Sequence, residues 1–163
     1  MSRTAVHIFW PAFWVFLADQ ASKYVVVHLM GLMTKLQIDV LPPLLQFRMA
    51  WNRGVNFGLF PAEADAGRWF LIAIALVISL GVIFWMVRSR ASRMACISAG
   101  LLVGGALGNV VDRVLYGAVA DFLNMSCCGI NNPFSFNIAD IAVFAGAIGL
   151  VLFDPKQAEK KGA

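Results

Sequence analysis

Apolar residues along this chain fall into four long runs separated by polar breaks. They lie at roughly 8–28, 69–87, 95–115 and 134–153. Each run approaches the ~20 residues that a helix needs to cross a hydrocarbon core, and the second carries no charged side chain. The pattern predicts an all-α membrane protein with four transmembrane helices. Asp19 and Lys23 interrupt the first run and no small-residue cleavage site follows them, so it reads as a retained span rather than a removable signal.

The segment from about 29 to 68 has a different rhythm. Alternation in Leu36-Gln37-Ile38-Asp39-Val40 and in Leu45-Gln46-Phe47-Arg48-Met49 predicts two short strands around Pro42-Pro43. Residues from Ala62 to Arg68 are expected to start a short surface helix. A small β-platform and a surface helix should therefore lie outside the membrane between helices 1 and 2. Nothing divides the chain, so 1–163 is expected to be one domain, with a disordered tail at about 155–163.

Composition supports a membrane class: 60% of the 163 residues are hydrophobic and 13% charged, with a mean hydropathy of +0.76. Soluble domains lie nearer ~45–50% apolar and ~25% charged. The net charge of +4 contains no basic run of the kind a nucleic-acid groove requires. Its distribution does carry topology. Arg3, then Arg88, Arg90 and Arg93, then Lys156, Lys160 and Lys161 fall on one side if four helices alternate, and the positive-inside rule makes that side cytoplasmic. Both termini are then inside, and the 29–68 segment faces outward.

Three carboxylates stand in or against the apolar runs: Asp112, Asp121 and Asp140. A carboxylate in hydrocarbon costs at least ~2.5–3.5 kcal/mol, so their presence asks for a reason. With run 3 directed outward and run 4 inward, all three gather at the outer face. Two close carboxylates push one pKa up. One then activates a water while its protonated neighbour polarises a carbonyl, and no metal is required. Three cysteines without a CxxC pair and two distant histidines do not make a zinc site.

Structural readings compete at each position. Asn109, Asp112 and Arg113 share a helical face and read more readily as a hydrogen-bonded brace than as catalytic groups. Asp121 follows the Gly117 break, where its carboxylate should be freer to meet water. Asp140 stands three residues after Asn137 and can serve a helix N-terminus, although pairing explains Asp121 and Asp140 together. Asp19 and Lys23, spaced i, i+4, are either a buried ion pair or a means of bringing Lys23 to a substrate carbonyl or headgroup. Gly100, Gly104 and Gly108 predict close helix packing. The segment Trp51–Gly58 suits a tight loop, and Cys127-Cys128 are expected to be free thiols or incidental.

Asp19-Gln20-Ala21-Ser22-Lys23, Asn52-Arg53-Gly54, Gly104-Gly105-Ala106-Leu107-Gly108-Asn109-Val110-Val111-Asp112-Arg113, Val119-Ala120-Asp121-Phe122 and Phe136-Asn137-Ile138-Ala139-Asp140 follow one another in a familiar order. From about residue 14 to 150 the chain resembles the lipoprotein signal peptidases, the bacterial signal peptidase II or A8 aspartic peptidases. The resemblance implies a cofactor-free inner-membrane endopeptidase that cuts diacylglyceryl-modified prolipoproteins before the lipidated cysteine. It assigns the dyad to Asp121 and Asp140 and implies that Asp19, Lys23, Asn52, Gly54, Asn109, Asp112, Arg113 and Asn137 bind substrate or brace the site. A monomer in contact with membrane lipids, its site near the periplasmic face and open to globomycin-type cyclic peptides, is also implied. Asn56, Ala120 and Cys127-Cys128 depart from the commonest pattern and put loop conformation and substrate preference in doubt. A proton-coupled transporter or a noncatalytic scaffold is the alternative class.

Overall fold

The computed structural model describes residues 2–54, 64–89, 91–127, 129 and 132–153. Helix α1 (Arg3–Lys23) begins where the Ser2 hydroxyl accepts a hydrogen bond from the Ala5 amide, and it continues as a π-helical stretch over Tyr24–Leu29. A one-turn helix α2 (Leu32–Lys35) leads into strands β1 (Gln37–Leu41) and β2 (Leu45–Asn52). Then come α3 (Ala64–Arg88), α4 (Arg93–Tyr116), β3 (Val119–Met125) and α5 (Ile138–Leu152). Helices α3 and α4 are each long and apolar enough to cross a membrane, and α5 is a shorter apolar helix.

Helix α4 is the centre of the bundle, and its glycines explain why. A Cβ at Gly100 or Gly104 would strike the backbone of α1 at Ile8 or Ala12, and one at Gly108 would strike the Asp19 carboxylate. On its other face, Gly105 meets the Ala139 carbonyl, while Gly146 and Gly149 of α5 meet Leu102 and Ser98. Small residues let the backbones approach closely, as hydrocarbon-embedded helices require in the absence of a hydrophobic drive between them. The order of these contacts also gives direction: α1 runs parallel to α4, and α5 runs antiparallel to both. One end of the bundle is sealed by Ile8, Met86, Ala95, Cys96, Ala99, Leu102 and Leu150. Val77, Phe84 and Phe144 point outward and are each more than two thirds exposed, as a lipid-facing surface would be.

At the other end lies an antiparallel sheet of order β1-β2-β3. Ile38 pairs with Phe47, and Phe47 pairs in turn with Leu123. The sheet covers a small core of Val26, Leu32 and Phe122, with Phe47 edge-on to Phe122 at 5.7 Å.

Several expectations are corrected. The first helix starts at Arg3, five residues before the apolar run, because its polar first turn is capped by Ser2. The short helix of the outer segment is Leu32–Lys35; Ala64 to Arg68 instead belong to α3, and Ala62 lies outside the described residues. The sheet has a third strand, β3, where only a helix end was expected. The run at 134–153 becomes helical only at Ile138, since Phe136 bridges to Leu123 of β3. Cys127 is disulfide-bonded, which overturns the free-thiol reading for it. Cys128, Asn56, most of the 52–68 loop tip and the tail at 155–163 lie outside the described residues.

Candidate active site

Strand β3 runs back along the top of the bundle and carries Asp121. The chain reaches it through Gly117, whose φ of 75° closes α4 in a left-handed turn open to glycine at little cost. Asp121 is 3% exposed, not freer to meet water as the position after the helix break implied. Burial comes from β2: Asp121 lies opposite Ala50, and Asn52, two residues on and on the same face, reaches diagonally so that its Nδ2 donates to Asp121 Oδ2 at 3.0 Å. The Asn52 Oδ1 in turn accepts from the Gly54 amide at 2.9 Å. Gly54 has φ +87°, a turn geometry that L side chains rarely adopt.

The bridge between Leu123 and Phe136 delivers the next residue, Asn137, to the same point. Its Nδ2 donates to Asp121 Oδ1 at 2.6 Å. Asn137 is also the cap of α5: its Oδ1 accepts from the Asp140 amide at 2.9 Å, and its own amide donates to Asp140 Oδ2 at 3.2 Å. This reciprocal box satisfies two orphan donors of the helix start. Asp140 therefore does serve the helix N-terminus, and the same exchange ties it to Asp121 through one asparagine. From α4, Asn109 Nδ2 donates to Asp140 Oδ1 at 2.9 Å.

Asp121 and Asp140 are thus held by amides from β2, α4 and the start of α5, and Asp140 is half-buried where Asp121 is closed off. Desolvation raises the Asp121 carboxyl to about 6, and the negative charge of Asp140 pushes the same way. The hydrogen bonds from Asn52 and Asn137, and the charge of Lys23, act in opposition. Arg113 stands in the field of both carboxylates; its Nη1 donates to the Asn109 carbonyl at 3.4 Å, and its Nε has no partner among the described residues. A groove of about 350 Å³ between α3, α4 and α5 starts at Asn109 and Arg113 and continues along Leu71, Ile78, Leu102 and Val143.

A second acidic group lies behind the first. Lys23 is buried, with Nζ 2.7 Å from Asp19 Oδ2 and 2.9 Å from Asp112 Oδ2. Asp112 Oδ2 also accepts from the Ala120 amide, so it anchors the strand that carries Asp121. Asp19 Oδ1 accepts from the Ala139 amide in the first turn of α5. The structure favours the ion-pair reading of Asp19 and Lys23 over exposure of Lys23 to a substrate. The brace expected between Asp112 and Arg113 is corrected: Asp112 turns to Lys23 on the neighbouring helix, because that ammonium sits on the face α4 presents to α1. Asn109 joins the two groups, since its Oδ1 accepts from Lys23 Nζ at 3.4 Å and from Asn137 Nδ2 at 3.3 Å.

Two polar residues had no role assigned from sequence. Gln20 donates to Asp19, Asp112 and the Gly108 carbonyl. Asn124 is 2% exposed and donates to the carbonyls of Asn132 and Phe134, holding the loop that returns to Asn137. The place of Gln20 directly after Asp19 in the Asp19–Lys23 turn is a faint signal for it; Asn124 sits in a strand that the apolar pattern concealed.

The chain matches the family model described as Signal peptidase (SPase) II over residues 11–154. It is 46% identical over 112 residues to a lipoprotein signal peptidase of Methylorubrum extorquens (strain PA1), a match covering 69% of this chain. The chain spans 64% of that relative's length. A lipoprotein signal peptidase of Alteromonas mediterranea is 36% identical over 160 residues, which cover 98% of this chain and 86% of the relative. A solved bacterial membrane enzyme, determined by the in meso method at 2.3 Å resolution, superposes with a TM-score of 0.73 at 28% identity, covering 93% of this chain and 88% of that one. Asp121, buried, and Asp140, half-buried, thus stand together at the sheet-covered end of an apolar bundle. The chain belongs to the signal peptidase II family, the A8 peptidases.

Proposed function

We propose that the protein is the endopeptidase that removes the signal peptide from diacylglyceryl-modified prolipoproteins, cutting before the lipidated cysteine, with Asp121 and Asp140 as its catalytic dyad. The observation that carries this reading is the double role of Asn137, which bonds Asp121 through its side-chain amide while exchanging cap bonds with Asp140.

The two carboxylates are in different surroundings, and that divides the labour. Asp140 accepts hydrogen bonds at both oxygens, from Asn109 and from the Asn137 amide at the start of α5. Asp121 is buried beside it and takes the proton. Asp140 then removes a proton from water as that water attacks the peptide carbonyl, while the Asp121 proton is given to the developing oxyanion. Collapse of the intermediate expels the amine, which receives the proton held by Asp140, while one hydroxyl of the intermediate returns its proton to Asp121 and restores the starting state. Arg113, whose Nε has no partner among the described residues and which lies at the head of the groove, would bind a substrate carbonyl.

In this reading one domain, residues 1–163, crosses the bacterial inner membrane four times as a monomer. The Arg3 end of α1 and the far end of α5 lie in the cytoplasm, and the sheet lies at the periplasmic surface. Its direct supports are the alternating helix directions and the basic residues gathered at one end of the bundle. The apolar groove leading from Asn109 and Arg113 would receive the signal peptide laterally from lipid, and globomycin-type cyclic peptides would compete for the same place.

The test is incubation of the purified protein with a lipidated prolipoprotein, read as a mass shift. A precursor lacking the lipid should be cleaved more slowly by well over the factor that ~0.8 kcal/mol, one buried methylene, would give. Equal rates for the two precursors would remove the lipid-anchored model. No mass shift for either would remove the peptidase assignment and leave the transporter or scaffold classes.

A further inference from the structure

A second concavity, of about 450 Å³, opens between α1, α3 and α4, whereas the proposed substrate groove lies between α3, α4 and α5. Ala5, Phe9 and Phe16 of α1 form one wall, Ile83 and Val87 of α3 the other, and Leu107 of α4 the floor. All the lining side chains are apolar. From Ala5 to Phe16 is about 16 Å of helix. That is close to half of the ~30 Å hydrocarbon core, so the groove is one leaflet deep.

Its mouth has a definite charge. Exposed Arg3 lies two residues before Ala5, and exposed Arg88 follows Val87 directly, so both arginines stand where the groove meets the end of the bundle. The first turn of α1 has no acidic residue, and neither has the first turn of α4, which opens with Arg93. Hydrocarbon-lined depth below a cationic rim is the order of groups in an upright phospholipid, read from tail to phosphate.

We infer that this groove binds one acyl chain of an anionic phospholipid from the leaflet at the N-terminal end of α1, with its phosphate against Arg3 and Arg88. The lipid fills the gap beside the sparse contact between α1 and α3, and it does so away from Asp121 and Asp140. The inference rests on the membrane setting of the bundle and not on the peptidase chemistry.

The experiment uses the full chain purified in neutral detergent, with phosphatidylglycerol or phosphatidylcholine of identical chains added. Bound lipid is counted by native mass spectrometry, and melting is followed in the same samples. Phosphatidylglycerol should be retained as one molecule per chain, about tenfold more tightly than phosphatidylcholine, and should raise the melting temperature further. R3Q combined with R88Q, both on exposed positions, should abolish the preference between headgroups. A5F, which fills the groove beneath its mouth, should lose retention of both lipids. Equal retention of the two lipids by the unaltered chain would overturn the proposal. So would undiminished phosphatidylglycerol retention in both variants, or an equal shift from soluble glycerol phosphate alone. Cleavage of lipidated precursor is read separately, so its failure with lipid retention intact bears only on the peptidase assignment.

Discussion

Asp19 and Asp112 face each other across the α1–α4 contact much as Asp121 and Asp140 face each other across the junction of β3 and α5. The first pair encloses an ammonium group, at 2.7 and 2.9 Å, while the second is surrounded by asparagine amides. Lys23 supplies a full counter-charge, and its two partners also accept from the Ala139 and Ala120 amides, so the triad fastens α5 and β3 to the helices beneath. Amides orient carboxylates without neutralising them. On the dyad assignment proposed above, burial of acids alone does not mark a catalytic pair; what sets this pair apart is that, among the described residues, amides and no cation hydrogen-bond its carboxylates.

The strongest way to break this comparison is to remove a carboxylate from the amide-held pair. Asp121→Asn and Asp140→Asn should each lower cleavage by about 10³-fold or more, since neither amide can exchange the proton. Both variants should still fold and insert. Near-normal turnover by either would end the dyad assignment.

Next comes the counter-charge. Lys23→Met leaves Asp19 and Asp112 buried without their cation and should cost about 3–5 kcal/mol of stability, with activity falling in parallel. Asp112→Asn should lower detergent stability in the same direction, through loss of the Lys23 pair. A Lys23→Met protein that melts normally but does not cleave would move Lys23 from the brace to the chemistry.

The pH profile sharpens the contrast more gently. Asp121 holds its proton up to about 6, and loss of that proton as pH rises leaves the proposed dyad without its acid. Then kcat/KM should fall about tenfold per pH unit above that point. Asn52→Ala removes a hydrogen bond that favours the charged form and should move this limb to higher pH. A limb that stays in place would mean that Asn52 does not act on Asp121. The smallest expected effect is that of chelators: EDTA should leave cleavage unchanged, whereas activity lost on chelation and restored by a divalent ion would make the carboxylates ligands instead.

Apolar runs and glycine spacing made the bundle readable, because lipid imposes one solution on long uncharged segments and Gly100, Gly104 and Gly108 announce their packing face. The acidic positions were readable for a related reason, since charges in such segments are costly. Strand β3 was not. Ala118 to Phe122 are all buried, so no alternation betrays a strand, and it pairs with β2 far away in sequence. Without that strand the burial of Asp121 and the reach of Asn52 had no visible cause. Lys23 and Asp112 lie far apart in the chain, and only the parallel docking of α1 on α4 turns Asp112 away from its sequence neighbour Arg113.

The reciprocal bonds of Asn137 have a consequence for biosynthesis. On the dyad assignment proposed here, the start of the last helix and the assembly of the reactive centre are one event: until α5 is made and docked, Asp121 has neither its partner acid nor one of its two amide donors. A nascent copy is therefore chemically inert until α5 has been translated and has docked.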